Sequence, residues 1–371
     1  MSAEPAVAAR RAGADPGSEP AGTGEQPASS MDLTEPLLAR PVAAAALGRQ
    51  PVTSADDRLA VGLDIGGTKI AGGVVGADGR ILERTRVPTP QDTEAEVTVA
   101  TLAKVIDDLR SRQPDVEAIG VGAAGLVEWP AGRIIWAPHN PYRDLPLRRL
   151  LHELTGLPTV VDNDANAAAW AEARFGAGTG SDDMILLTVG TGVGGGLVLG
   201  GHVYRGMNGM GAEMGHMIVD PDGAPCSCGS HGCLEAMVSG TALERMGREA
   251  VLADPDSGLA RHVGDPDRVT GPLVYDAALA GDATARGLFE LMGHWLGVGI
   301  ASLITIFDPE LVVVGGGMIA TGDLLLAPAR ASLKRYVFGP AYRTLPPVVP
   351  ARLGPEAGLV GAATLALRVG G

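Results

Sequence analysis

Aromatic residues are scarce in this chain, at 4% of 371 residues, and only three cysteines occur, Cys226, Cys228 and Cys233. So few aromatic rings leave little on which nucleic-acid bases could stack. Positive charge is also short: 29 Lys and Arg stand against 43 Asp and Glu, a formal net charge of −14. A phosphate backbone needs a basic footprint, so nucleic acid is excluded as the main partner. Long hydrophobic runs are missing too. The apolar stretch VAAAALG, Val42 to Gly48, is far too brief to span a bilayer, and nothing resembles a secretory signal. Three cysteines cannot all pair within one chain, so a reducing cytoplasm is the expected location, with no membrane partner.

What is present suits a folded α/β protein. The length allows two ordinary domains, and 46% hydrophobic residues are enough for substantial cores. Residues 1–57 are rich in Ala, Pro, Gly, Ser and Glu without a sustained apolar period, which predicts a disordered tail; Met31 is an alternative start. From Leu59, LAVGLDIGGTKIAGGVVGADGRILERTRV reads as strand, Gly-rich turn, strand, turn at Asp78-Gly79 and strand. A helix through EAEVTVATLAKVIDDLR, a buried strand EAIGVGAAG and a short helix stopped by Gly156 come next. Strand TVVDN then leads into an Ala-rich helix, DANAAAWAEARFG. The opening theme returns at Met184 to Tyr204, again apolar strand, Gly-rich turn, apolar strand, which suggests two related halves. Helices around Thr241 to Leu252 and Asp282 to Ile306, strand ELVVVGGG and a last helix EAGLVGAATLALR complete the alternation.

The glycine clusters carry the first chemical signal. DIGGTK, Asp64 to Lys69, packs a carboxylate, two glycines, a hydroxyl and a cation into six residues. Glycines let backbone N–H groups approach phosphates closely, and Thr68 and Lys69 add donors. The order is not that of a Walker A loop. GTGVGG, Gly190 to Gly195, satisfies G-x-G-x-x-G, but a strand pattern follows where a dinucleotide fold needs a helix. Any one cluster reads as a tight hairpin turn. With VVGGGM, Val313 to Met318, as a third cluster after a strand, phosphate and nucleotide binding is the better reading.

DIGGTK, VDNDANAAAW, TVGTGVGGG, GHMIVDPDGAPCSCGSHGCLE and VVGGGM together resemble the ROK family of repressors, uncharacterised reading frames and sugar kinases. The similarity runs from about Leu59 to Arg368 and is closest to the family's bacterial ATP-dependent glucokinases. It implies an α/β, actin-like ATPase (ribonuclease H-like) fold of two lobes with a central cleft. Residues 58–162 would form the N-terminal lobe, completed by a C-terminal helix, 355–371. Residues 163–354 would form the C-terminal lobe with a zinc-binding loop.

The resemblance also gives the cysteines a purpose. His216 and Cys226 have nine residues between them, followed by Cys226-x-Cys228 and Cys228-x4-Cys233. One His and three Cys make a closed tetrahedral set, typical of structural rather than catalytic zinc; three buried free thiols are the alternative. In the family the positions matching Glu213, His216 and Glu235 face the sugar, the His using one nitrogen for zinc and the other for a hydroxyl. Taken alone, the two glutamates read as solvated loop charge. The family places the catalytic base at Asp164, although locally Asp162 or Asp164 reads equally as a helix N-cap. It assigns Asn163, Gly125 and Asn140 to the sugar pocket. Asp64 would hold Mg²⁺ through water, and Gly66, Gly67, Thr68, Lys69, Thr191, Gly192, Gly316 and Gly317 would meet the nucleotide.

The implied activity is transfer of the ATP γ-phosphate to the 6-hydroxyl of glucose, with ATP, Mg²⁺ and structural Zn²⁺. Mannose, fructose, N-acetylmannosamine and allose remain open as acceptors, and polyphosphate as donor. A sugar-responsive regulator would need a helix-turn-helix pattern and positive charge before DIGGTK, and the leading segment has neither. The expected assembly is a homo-oligomer, dimer or tetramer. Because the Gly-rich turns and the cysteine loop occupy separate segments, metal loss is expected to act on the sugar more than on the nucleotide.

Overall fold

A computed structural model of the chain describes residues 57–91, 94–137 and 142–369. The tail read as disordered lies outside them, except for Asp57. The first sheet opens with β1 (Leu59–Ile65), β2 (Lys69–Gly76) and β3 (Ile81–Pro88). Helix α1 (Ala95–Arg112) follows, then β4 (Val116–Ala123). Three short strands, β5 (Leu126–Glu128), β6 (Arg133–Trp136) and β7 (Arg143–Leu145), form an antiparallel sheet of their own. Helix α2 (Leu147–Thr155) ends on Gly156 in the left-handed conformation, as the sequence suggests. Strand β8 (Thr159–Asn163) and helix α3 (Asp164–Phe175) come next.

The second sheet begins with β9 (Met184–Val189), β10 (Val193–Leu199) and β11 (His202–Tyr204). After the cysteine loop come α4 (Leu234–Val238), α5 (Gly240–Ala253), α6 (Gly258–Val263), α7 (Gly271–Leu279) and α8 (Ala283–Phe307). Strand β12 (Leu311–Gly315), α9 (Asp323–Tyr336), β13 (Val348–Pro350) and α10 (Ala357–Val369) complete the chain.

The two large sheets have one topology. Their strand orders are β3-β2-β1-β4-β8 and β11-β10-β9-β12-β13. In each, the first three strands pair antiparallel and the last two join parallel. The repeated hairpin in the sequence is therefore a repeated half of the fold.

Helices α3 and α10 lie between the sheets. One apolar cluster joins Ala60, Ala118 and Val160 of the first sheet and Leu186, Val198 and Val313 of the second to the alanines of α3 and to Leu359, Ala363 and Leu367 of α10. Ala and Gly dominate both helices because each must touch a sheet and the other helix. A methyl group on Gly120 would overlap the carbonyl oxygen of Ala362, and one on Gly361 that of Ala167. Separate cores lie beneath α1 and α2, and among α4 to α9. Helix α8 is long and apolar enough to cross a membrane, but Phe289, Met292, Leu296 and Ile300 are fully buried in that second core. It is a core helix.

Candidate active site

Strands β1 and β8 deliver the two carboxylates at the centre. Asp64 lies one residue before the end of β1, and Asp164 is the first residue of α3. Neither Asp caps that helix. The cap is Asn163, whose Oδ1 accepts from the backbone N–H groups of Ala165 (2.8 Å) and Asn166 (3.1 Å). Its Nδ2 donates to the Gly125 carbonyl at 3.1 Å. Gly125 has φ +106°, which a side chain would strain, and a methyl there would meet the Trp136 carbonyl. Asn163 thus holds the Gly125 turn and starts α3, with one amide hydrogen to spare.

Asp162 has a structural task. It is buried, with Oδ1 accepting from the Asn163 N–H (2.8 Å) and Asn166 Nδ2 (3.1 Å), while Oδ2 receives Arg205. Asp164 is left facing a cavity of about 160 Å³ whose lining includes Asp64, Thr188, Gly315, Gly316 and Gly358. The cavity therefore draws on both lobes. Gly358, in the first turn of α10, leaves room for the Asp64 carboxylate.

The electrostatics are those of crowded negative charge. Burial, then Asp164, lifts the Asp64 carboxyl to about 7, with Lys69 opposing. Burial also raises Asp164, against the pull of the Ala165 N–H. Glu213 is exposed, yet partial desolvation, then Asp164 and Glu235, push its carboxyl up to about 7. Such a cluster calls for a cation or a proton.

Both hairpin turns are buttressed. Around Gly66 to Lys69, Thr89 Oγ1 donates to the Gly66 carbonyl (2.8 Å), Gln91 Nε2 to that of Gly67 (2.7 Å) and the Thr89 N–H to that of Thr68 (3.1 Å). With those carbonyls engaged, N–H groups and the exposed Thr68 and Lys69 are what this turn offers an anion. In the second lobe, the N-terminus of α5 holds the matching turn. The Gly240 N–H donates to the Gly190 carbonyl (2.7 Å) and Thr241 Oγ1 to that of Thr191 (2.9 Å). Gly317 packs beside Gly190, so these two glycine clusters meet.

The cysteine loop closes on itself. The ligand atoms of His216, Cys226, Cys228 and Cys233 all lie within 4.8 Å of one another. Cys228 and Cys233 sulfurs are 3.7 Å apart, as are the Cys226 sulfur and His216 Nδ1. Four ligands around zinc, with Zn–S near 2.3 Å, would set tetrahedral edges of about 3.8 Å. The donors fit. Cys233 is buried at the start of α4, its thiol pushed up to about 12 by burial and by its fellow cysteines, whereas backbone donation from Ser230 lowers Cys228. A cation would relieve the crowding of these sulfurs.

Glu235 corrects one expectation. Its Oε2 accepts the Val193 N–H at 3.0 Å, and its Oε1 takes the Ser227 hydroxyl at 3.1 Å. The cysteine loop and the Gly190-to-Gly192 turn are therefore braced together, not independent. Separation in sequence hid a contact made in space.

The ROK family pattern matches residues 60–369. The chain belongs to the ROK family. A glucokinase of Streptomyces coelicolor is 43% identical over 311 residues, covering 83% of this chain and 97% of that protein. The crystal structure of a ROK glucokinase from Streptomyces griseus in complex with glucose and AMPPNP superposes with a TM-score of 0.74 at 44% identity, covering 84% of this chain and 99% of that one. A ROK hexokinase from Thermus thermophilus gives a TM-score of 0.71 at 40% identity, over 84% and 99% of the two chains.

The ROK fold here is the actin-like ATPase fold, two α/β lobes about a cleft. Of the residues singled out in the sequence, Asp64, Asp164 and Gly316 meet in the cavity, and the His-Cys₃ set meets in the loop. Thr191 and Gly192 lie on the braced turn beside Glu235. Gly66, Gly67, Thr68 and Lys69 form the turn next to Asp64, outside that cavity's lining. Asn140 lies outside the described residues. Thr89, Gln91 and Arg205 were missed, since none stands in a motif and each acts across a gap in sequence; Thr188 opens the TVGTGVGGG motif but was passed over for the glycines that follow it.

Proposed function

We propose that the protein is an ATP-dependent glucokinase that converts glucose to glucose 6-phosphate. The observation that carries this is Asp164, placed by an Asn163-capped helix start into a cavity shared with Asp64, in a chain akin to glucokinases along nearly their whole length.

The hydroxyl oxygen of the sugar attacks the γ-phosphorus, ADP leaves, and the hydroxyl proton passes to the Asp164 carboxylate. Burial makes Asp164 a better proton acceptor than a free Asp, as a base working near neutrality requires. Asn163, Gly125, Glu213 and His216 orient the sugar, together with Asn140. Thr68, Lys69, Thr191 and Gly192 receive the phosphates through backbone and hydroxyl donors, and Gly316-Gly317 borders the nucleotide. Asp64 suits a water-bridged Mg²⁺, because its carboxyl otherwise pays for burial beside Asp164. Bound magnesium supplies neutralisation of the phosphate charge.

His216, Cys226, Cys228 and Cys233 would hold zinc with no ligand position left open, which suits a staple and not a Lewis acid. His216 turns Nδ1 toward Cys226, so its Nε2 is the nitrogen left for a sugar hydroxyl. The reading further places residues 58–162 with 355–371 in one lobe and 163–354 in the other, and the enzyme in the cytoplasm as a homo-oligomer, dimer or tetramer. Light scattering of the purified protein tests the assembly.

A panel of sugars against ATP and polyphosphate tests the activity. Glucose with ATP should give a kcat/KM at least about tenfold above mannose, fructose, allose or N-acetylmannosamine, a margin of roughly 1.4 kcal/mol. Preference for N-acetylmannosamine, or for polyphosphate as donor, would overturn it.

A further inference from the structure

Arg205 follows β11 in the second lobe, and its guanidinium crosses to the first. Its Nε and Nη2 both reach Asp162 Oδ2, at 2.8 and 2.7 Å, with the side chains only 13% and 3% exposed. The same group lies over the Trp129 ring, 4.0 Å from its centroid, and Nη1 donates to the Val203 carbonyl at 3.2 Å. Asp162 is one residue from the cap of α3 and two from the base. Its other oxygen is already bound to the start of that helix. One carboxylate therefore ties the base-bearing turn to the second lobe.

What Arg205 anchors is a short ring of backbone. The Gly211 N–H donates back to the Arg205 carbonyl at 2.9 Å, and the Trp129 N–H donates to the Asn208 carbonyl at 3.1 Å. The chain leaves this ring through Ala212 at φ +66°, a left-handed conformation uncommon for a residue with a side chain. The next residue is Glu213, whose carboxyl feels both Asp164 and Glu235. A non-glycine residue keeps such a conformation only when its surroundings over-determine it; the ring on Arg205 lies directly before Ala212, and the Met214 N–H donates to the Ala212 carbonyl at 2.7 Å directly after it.

We propose that Arg205 is a positioning residue for the acceptor sugar: its pair with Asp162 and its stacking on Trp129 fix the ring whose exit aims Glu213 at the cleft. The proposal rests on the glucokinase reading, which makes Glu213 a sugar ligand. Arg205 itself touches no reacting atom. Lysine cannot replace it, because the site uses a planar fork and a stacked face together.

Steady-state kinetics on Arg205→Lys, Arg205→Met, Asp162→Asn and the Arg205→Met/Asp162→Asn double variant, with thermal unfolding of each, test this. Loss of the aim should raise the glucose KM by about tenfold or more, since small misplacements of binding groups are costly. The ATP KM and the kcat at saturating glucose should stay within about twofold of wild type. The double variant should be no worse than the poorer single one, because both remove one interaction. A merely structural pair would lower the melting temperature and disturb both substrates alike. A cooperatively folded Arg205→Lys variant with an unchanged glucose KM overturns the proposal, as do single effects that add. Should Arg205→Met not fold, Arg205→Lys decides the question. Should the wild type ignore glucose, the glucokinase reading fails by itself, and the same comparison on whichever sugar is phosphorylated still judges Arg205.

Discussion

Asp164→Asn tests the base and the electrostatics together. Asparagine keeps the shape and still accepts the Ala165 N–H, which Asp164 Oδ1 meets at 2.9 Å, so the helix start should persist. The amide cannot take the proton. General bases contribute about 10²- to 10⁴-fold, so kcat should fall by that factor, or about 3 to 5 kcal/mol of barrier. Stability should move the other way. A carboxyl whose folded pKa lies above its unfolded one binds its proton more tightly when folded. Its contribution is therefore full below pH 4 and is lost as pH rises toward 7. For Asp64, lifted from 3.8 to about 7, that loss approaches roughly 4 kcal/mol. Asparagine at 164 removes one buried charge and lowers the pressure on Asp64 and Glu213, both of which Asp164 raises. The metal-free, ligand-free variant should therefore melt higher than wild type at pH 8 and nearly the same at pH 4. Calorimetric scans at the two pH values, beside a coupled kinase assay, measure both effects. A kcat within tenfold of wild type, or a melting temperature that drops at pH 8, would refute the reasoning.

Asp64→Ala should cripple Mg²⁺-dependent turnover and leave glucose affinity nearly intact in titration calorimetry without nucleotide; a large loss of glucose binding would count against its assignment. Cys228→Ser or Cys233→Ser should abolish stoichiometric zinc by metal analysis and raise the glucose KM steeply. Because Glu235 braces Val193, the ATP KM should rise as well, and an unchanged ATP KM would deny the brace. Gly120→Ala drives a methyl into the Ala362 carbonyl and should cost about 1 to 3 kcal/mol or more in urea unfolding. An unaffected midpoint there would mean that α10 is loosely held.

The sequence showed the repeated hairpins plainly, because glycine turns between apolar strands are local signals, and the strand order then proved the same in both sheets. The His-Cys₃ set was equally plain, its spacing being local. Strands β5 to β7 were missed because three or four residues are too few to show a period. Helix α9 was missed because Pro328 interrupts the pattern; in the structure that ring packs against Gly293 of α8. At the site, the choice between Asp162 and Asp164 could not be made from local spacing. Asn163 turned out to be the cap, and Asp162 the partner of an arginine 43 residues away. The link from Glu235 to Val193 spans 42 residues and left no mark in either motif.

Helix α10 has a consequence for how the protein is made. It packs on β1 and β4, and its Leu359, Ala363 and Leu367 share a core with Ala60 and Ala118. Yet roughly 300 residues separate β1 from it, which a ribosome adding about 5 to 20 residues per second needs about 15 to 60 s to supply. During that interval the first sheet has been synthesised but one apolar face is bare, with Gly62 and Gly120 offering no side chain to cover it. The nascent first half must therefore wait, shielded or unpaired, for the last thirteen-residue helix to emerge. A chain terminated before α10 would never close that face, so synthesis through α10 is itself a condition for the first lobe to become stable.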